Sequence, residues 1–256
     1  MRALEDELGY ALFSQKGRGL ELTEQGKSLY ERLPAVLAPL DDLLAQIAPK
    51  KEMSRLLRIA SYEVFTTYFL SSVISDRFND WSIEMREALP GQIEALIGDG
   101  KSDIGLTYLA IPHPNVEFIK CGRVKMGIYG LKGNWSKTPV EEMPFAAPIN
   151  PIEGVPSGAK GLDGWPEHLF ERKVKYRVDM METAMQLCRS GVAVAFLPDF
   201  VVRIMNEKAS ADSKLAEIAP PKEVGTVFRE VFLVHRKGRE EAKASREIAK
   251  ALRALE

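Results

Sequence analysis

From residue 55 onward the chain alternates short apolar strands with amphipathic helices, and few architectures accept that order. Leu56-Leu57-Arg58-Ile59-Ala60 reads as a strand. Glu63 to Trp81 reads as a helix with Phe65, Phe69, Val73, Ile74 and Phe78 among its apolar positions, and Ile83 to Glu87 as a second strand. Gln92 to Gly98 is a helix, and Ile104 to Thr107 is a third strand after the turn residues Gly100-Lys101-Ser102-Asp103. A helix between successive strands returns the chain to the same end of a sheet, so this β-α-β-α-β order implies parallel strands with helices on both faces. The fold class is α/β.

The pattern then crosses to a second body. Val116 to Tyr129 reads as extended, and residues 133–166 are rich in Gly, Pro and Asn with a short strand near Phe145-Ala146. Lys175 to Val178 is a strand, Met181 to Ser190 a helix, Val192 to Leu197 a buried-type strand, and Phe200 begins another helix. Phe228 to Val234 is a last long strand and Glu240 to Leu255 a last helix. Crossings near Met126–Leu131 and Gly225–Phe228 divide residues 51–256 into two lobes: lobe one about 55–127 and 227–256, lobe two about 128–226.

The first 50 residues have a different texture. Residues 1–8 read as helical and Gly9 stops them. Ala11 to Ser14 and Leu20 to Leu22 flank the turn Lys16-Gly17-Arg18-Gly19, which predicts a β-hairpin. Thr23 is placed to N-cap a helix reaching about Ile47. Its apolar stripe runs through Leu29, Leu33, Val36, Leu37, Leu40, Leu43, Leu44 and Ile47, and Pro34 and Pro39 bend or divide it. A stripe that long on a lone helix predicts self-association. Ala48 to Glu52 is a linker.

Totals exclude several classes. Lys+Arg is 35 and Asp+Glu 36, so any DNA-binding face must be local. Cys121 and Cys188 are too few and too far apart for a disulfide scaffold and point to a reducing, cytoplasmic compartment. No apolar run approaches the ~20 residues of a membrane span, and the N-terminus does not read as an export signal. His113, His168 and His235 lack metal-ligand spacing. No nucleophile elbow, phosphate-binding loop or dinucleotide fingerprint is present, so neither a catalytic residue, a metal nor a cofactor is expected.

The stretch Arg2-Ala3-Leu4-Glu5-Asp6-Glu7-Leu8-Gly9, then Leu12-Phe13, Gly17-Arg18-Gly19 and Leu22-Thr23-Gly26, resembles the LysR-type transcriptional regulators. In that family a recognition helix ends in a similar Leu-Glu-Leu-Gly run and is followed by a Gly-Arg wing and a linker helix. Leu57 to Ser61, Asp103 to Leu106, Gly191 to Pro198 and Val231 to Arg236 resemble the family's effector-binding domain, so the likeness covers essentially the whole chain.

The resemblance implies a partial winged helix-turn-helix over 1–22, a linker and dimerisation helix over 23–50, and a two-lobed effector domain over 51–256. That domain would be of the periplasmic-binding-protein type 2 class. Arg2, Lys16 and Arg18 become the DNA-contacting candidates: Arg18 toward a minor groove, Lys16 toward phosphate. The front of the recognition helix, whose residues normally touch base edges, is not matched, so impaired operator binding is expected. A homodimer or homotetramer is implied.

Strand ends place the effector site, because ligands of open α/β sheets sit beyond the carboxyl ends of the strands. The candidates are Ser61, Thr66, Thr67, Gly91, Gln92, Thr107 and Tyr108 from lobe one, and Asn150, Met181, Glu182, Thr183 and Phe196 from lobe two. Hydroxyls and helix N-termini suit a small, partly apolar carboxylate. Glu182 would either oppose an anion or pair with an amine. The rival readings are a stand-alone solute-binding protein and an effector-only fragment without specific DNA binding.

Overall fold

The computed structural model describes residues 2–17, 19–30, 32–33, 36–37, 55–149, 161–238 and 243–254. The chain divides into two compact units, Met1–Met53 and Ser54–Glu256.

In the first unit, helix α1 (Arg2–Leu8) ends at Gly9, whose φ of 75° lets its N–H reach Glu5 O at 2.9 Å. Strands β1 (Phe13–Lys16) and β2 (Gly19–Leu22) then form the antiparallel hairpin expected from the Gly-rich turn, with Phe13 opposite Leu22 and Lys16 opposite Gly19. The Leu-Glu run has a physical role here. The Glu5 carboxylate accepts the backbone N–H groups of Leu12 (2.6 Å) and Phe13 (3.2 Å), tying the helix to the hairpin. Thr23 caps helix α2 (residues 24–30) by accepting the Gly26 N–H at 3.0 Å, and its hydroxyl donates to Ala11 O at 2.8 Å. A Cβ on Gly26 would lie 2.2 Å from Leu12 O, so close approach demands glycine there. Arg18, Pro34 and the stripe positions from Leu40 to Ile47 lie outside the described residues.

In the second unit nine strands of the described residues share one hydrogen-bonded sheet, ordered β4-β3-β5-β11-β6-β9-β7-β8, with β10 on β6. Strand β3 (Arg55–Ser61) runs parallel to β4 (Trp81–Glu87) and to β5 (Ile104–Thr107), as the alternation predicts. The helix after β3 starts as α3 (Glu63–Phe65), widens into a π-turn over Thr66–Leu70 and continues as α4 (Ser71–Arg77). It stops four residues short of the expected Trp81, which instead opens β4. Helix α5 (Gln92–Gly98) leads to β5.

Strand β6 (Val116–Leu131) joins two half-sheets. Its residues Val116–Met126 pair with β11 (Val227–Arg236), and Met126–Tyr129 pair with β9 (Val194–Pro198). Strand β10 (Leu215–Ile218), which the sequence reading missed, pairs with Ile128–Leu131. The far half-sheet is completed by β7 (Phe145–Pro148), parallel to β8 (Val174–Val178) and to β9. Helices α6 (Met181–Arg189) and α7 (Asp199–Lys208) follow β8 and β9, and α8 (Lys243–Arg253) closes the chain. The hydrogen bonds are therefore continuous, but the partners of β6 change at Met126. This gives two α/β lobes around a shared strand.

The core supports both halves. Ile59, Phe65, Ile93 and Leu106 are fully buried in one, and Trp165, Phe145, Met185 and Val194 in the other. Phe65 stacks on Phe200 with ring centroids 6.5 Å apart, an apolar contact across the two. Cys121 and Cys188 are buried thiols, and burial pushes the Cys188 thiol up to about 12, as for a packing residue rather than a reactive one.

Candidate functional site

Parallel strands in both half-sheets send their carboxyl ends toward one place. A cavity of about 240 Å³ opens there. Lobe one supplies Tyr62 after β3, Glu87 and Ala88 at the end of β4, and Tyr108 after β5. Lobe two supplies Pro148 from β7, Asp179 and Met180 after β8, and Phe196 to Pro198 from β9. The topology thus concentrates side chains of both lobes where the sheet itself ends.

Four of the expected residues line this cavity: Gln92, Tyr108, Met181 and Phe196. Most of the hydroxyl candidates lie outside its lining. Ser61 is fully buried with its hydroxyl directed to Tyr62 O (3.3 Å), and Thr107 closes on the backbone of Leu109 (3.0 and 3.1 Å). Thr66 donates to Glu87 Oε1 at 2.7 Å from behind the wall, and Thr67 and Thr183 are exposed. Gly91 caps α5, giving its N–H to Glu94 Oε2 at 2.7 Å. Glu182 receives Gln186 Nε2 at 2.7 Å and the Tyr68 hydroxyl. Asn150 lies outside the described residues.

Sequence reading missed the acidic wall. Glu63, Glu87, Asp163 and Asp179 all line the cavity, whereas among the described residues no Lys, Arg or His is in its lining. Glu63 leaves lobe one at the start of α3 and accepts the N–H of Met181, the first residue of α6 in lobe two, at 3.0 Å. The free N-terminus expected to attract a ligand anion is thus met by a carboxylate of the chain itself. Burial raises the Glu63 pKa above the ordinary carboxylate value; the α6 N–H groups oppose that rise, and Glu87 and Glu182 add to it. Position alone could have flagged Glu63, two residues past a strand end. Nothing local flags Asp163.

Asp163 is set by a buried ion cluster. Arg172, 2% exposed at its side chain, reaches Asp163 at 2.5 Å and Glu167 at 2.6 Å, and its guanidinium lies 5.0 Å from the Trp165 ring centroid. This clamp fixes the 161–172 loop, whose Leu162 carbonyl accepts the Tyr108 hydroxyl at 3.1 Å. Tyr62 and Tyr108 face each other with centroids 5.0 Å apart, and burial raises both phenol pKa values, so both stay neutral donors.

Across the lobes, then, Glu63–Met181, Tyr68–Glu182, Tyr108–Leu162 and Arg229–Gly164 form polar bridges around the cavity. In the first unit, Lys16 pairs with Glu21 at 2.7 Å across the hairpin, and Arg2 lies in α1. Among the described residues, no cluster of three His, Cys, Asp or Glu side chains could hold a metal ion, and no helix is long and apolar enough to cross a membrane.

Comparison with known proteins agrees with this architecture. Full-length LysG from Corynebacterium glutamicum with bound effector Arg superposes with a TM-score of 0.60 at 16% identity, over 99% of this chain and 85% of that one. A full-length OxyR variant from Pseudomonas aeruginosa gives 0.65 at 16% identity, over 99% and 86%. The HTH-type transcriptional regulator cbl of Klebsiella aerogenes is 34% identical over 112 residues, which is 41% of this chain. The matched stretch spans 35% of that relative's length. The family described as LysR substrate binding domain matches residues 50–255, most of the chain. On that match, and on two α/β lobes that share a strand and enclose a cavity, the chain belongs to the LysR substrate binding domain family.

Proposed function

We propose that this protein is a LysR-type DNA-binding transcriptional regulator whose two-lobed domain binds a small-molecule effector in the interlobe cavity, and that it is not an enzyme. The observation that carries the reading is the cavity of about 240 Å³, walled by strand ends from both lobes, in a chain whose residues 50–255 match the LysR substrate binding domain. A ligand held by both lobes stabilises the arrangement in which their walls meet, and can change the protein's state only through such a difference in affinity. The hairpin over Phe13–Leu22 and helix α2 have no use in a stand-alone solute-binding protein and suit a wing and linker.

In this reading Lys16 acts on the DNA backbone and Arg18 in the minor groove, with Arg2 a further contact. Exposed Tyr30, Leu33, Val36 and Leu37 form an apolar stripe that supports self-association through the linker helix, as a homodimer or homotetramer. The relatives named above carry DNA-binding and effector names, which support the reading without fixing the effector. The carboxylate expected from the helix N-termini would enter a cavity whose charged wall is acidic, and that wall argues for the opposite sign.

The test is ligand binding scored against a blocked cavity. Small molecules that raise the melting temperature of the full chain are re-measured on Ala88→Phe, a wall position at the end of β4. Loss of stabilisation supports the interlobe site; full retention contradicts it.

A further inference from the structure

Among the described residues the charged groups lining the cavity are of one sign. Two of the four acids have partners outside the lining or of their own: Asp163 shares the Arg172 guanidinium with Glu167, and Asp179 is not without a partner. Glu63 and Glu87 differ. They accept from the Met181 and Glu182 backbone N–H groups and from the Thr66 hydroxyl, neutral donors that satisfy oxygen lone pairs without cancelling charge. Among the described residues neither forms an ion pair, and Glu182 adds a third carboxylate to the same field. The cations that act on this wall stand outside its lining: Arg172 pairs with Asp163, and Arg229 acts on Asp163 and Tyr108, while Arg189 acts on Tyr68.

The remaining wall suits a cation as well. The rings of Tyr62 and Tyr108 present aromatic faces, and Leu89, Met126 and Met180 are apolar. A positive group inside meets carboxylate oxygens and π-faces, whereas an anion meets neither and adds repulsion. The cavity is also smaller than the roughly 300–1,000 Å³ of drug-sized sites, which limits the ligand to a short molecule.

Resting on the effector-cavity reading, we infer that the effector is a small organic cation, a primary amine or guanidinium on a short and partly apolar body, and that Glu63 is the side chain that receives its charge. Glu63 is suited to that role because it is already held from both lobes. It stems from α3 and accepts from the N-terminus of α6, so a cation docked on it touches the junction that closure must preserve.

The test uses matched probes on the full chain by thermal shift and calorimetry at constant ionic strength: butylamine, phenethylamine and agmatine against pentanoate and 3-phenylpropanoate, with butanol as a neutral control. The expected result is stabilisation by at least one amine and by neither carboxylate. Glu63→Gln keeps an acceptor for Met181 but removes the charge, and weakens that amine by about tenfold or more. Glu87→Gln, at the carboxyl end of the neighbouring strand β4, weakens it less. A second variant, Glu63→Asp, keeps the charge and retains part of the affinity, which separates charge from folding. Stabilisation by a carboxylate or butanol instead of an amine, lost in Ala88→Phe, overturns the cation inference and leaves the cavity reading standing. Amine binding indifferent to Glu63→Gln and Glu87→Gln also overturns it. No binding by any probe, or binding untouched by Ala88→Phe, overturns both.

Discussion

The carboxylate of Glu63 accepts the backbone N–H of Met181 at 3.0 Å, joining residues 118 positions apart in sequence and on opposite sides of the cavity. One lobe thereby caps the first turn of a helix in the other. The bond is charge-assisted and follows the helix dipole, so it favours the ionised carboxylate, while burial and two like charges favour the neutral one. The balance leaves the Glu63 pKa above its ordinary value of 4.5.

That direction fixes a pH dependence. A carboxyl whose pKa is raised on folding contributes stability below its unfolded value, and the contribution is lost as pH rises through the folded value. Glu63→Gln, which does not titrate, should therefore be most favoured relative to the parent at neutral pH. Its advantage should fade as pH drops toward 4.5. Urea titrations of both proteins across that window check the sign, and comparing the two removes Glu94, whose pKa is also raised, chiefly by burial. A difference that grows on acidification contradicts the assignment.

Tyr68 rides on the π-turn at Thr66–Leu70 and donates its hydroxyl to Glu182 on α6. Widened turns of this kind are common at functional positions. Tyr68→Phe keeps the ring and removes the bridge, at a cost of about 0.5–1.5 kcal/mol. Amide hydrogen exchange should quicken at residues 182–185 and stay unchanged in α8. Equal protection at both helices would show that the bridge does not hold the lobes.

Arg172 is the buried centre of the loop that carries Asp163 to the cavity. Arg172→Met leaves two carboxylates without their cation and should cost about 3–5 kcal/mol in chemical denaturation. Adding Asp163→Asn removes one of those charges and should recover part of the loss. If the double variant is no more stable than the single one, the clamp is not electrostatic.

Gly26 belongs to the other unit and answers to packing alone. Its α-hydrogen faces Leu12 O, and a methyl group would lie 2.2 Å from that oxygen. Gly26→Ala should separate α2 from the hairpin at a cost of about 1–3 kcal/mol and speed limited proteolysis between residues 9 and 23. Unchanged cleavage there would contradict the close approach.

The architecture was legible where apolar spacing is regular. β5 and β9 are buried runs and β3 is buried from Ile59 to Ser61, and their alternation with helices sufficed to specify parallel pairing. Trp81 was misread because apolar residues continue at helical spacing past Phe78, yet the helix ends at Arg77 and the Trp81 N–H turns back to Phe78 O. β10 escaped notice because Leu-Ala-Glu-Ile is four residues long and acquires its identity only from β6.

The rule that ligands gather at strand ends reached four residues of the cavity lining, Tyr108, Gln92, Met181 and Phe196, whereas the hydroxyl candidates Ser61, Thr66, Thr67, Thr107 and Thr183 fall outside it. Ser61 and Thr107 spend their hydroxyls on adjacent backbone, an assignment set by local geometry that no spacing reveals. Asp163 reaches the wall through a loop held by Arg172, a tertiary fact without a local signature.

The central claim, that the effector enters between the lobes, is tested most directly by methionine-methyl NMR. Met126, Met180 and Met181 line the cavity, while Met85 and Met205 lie outside its lining. Saturation with any small molecule that raises the melting temperature should shift the first three methyl signals and leave the other two in place. Shifts confined to Met85 or Met205, with the cavity methyls silent, would contradict it.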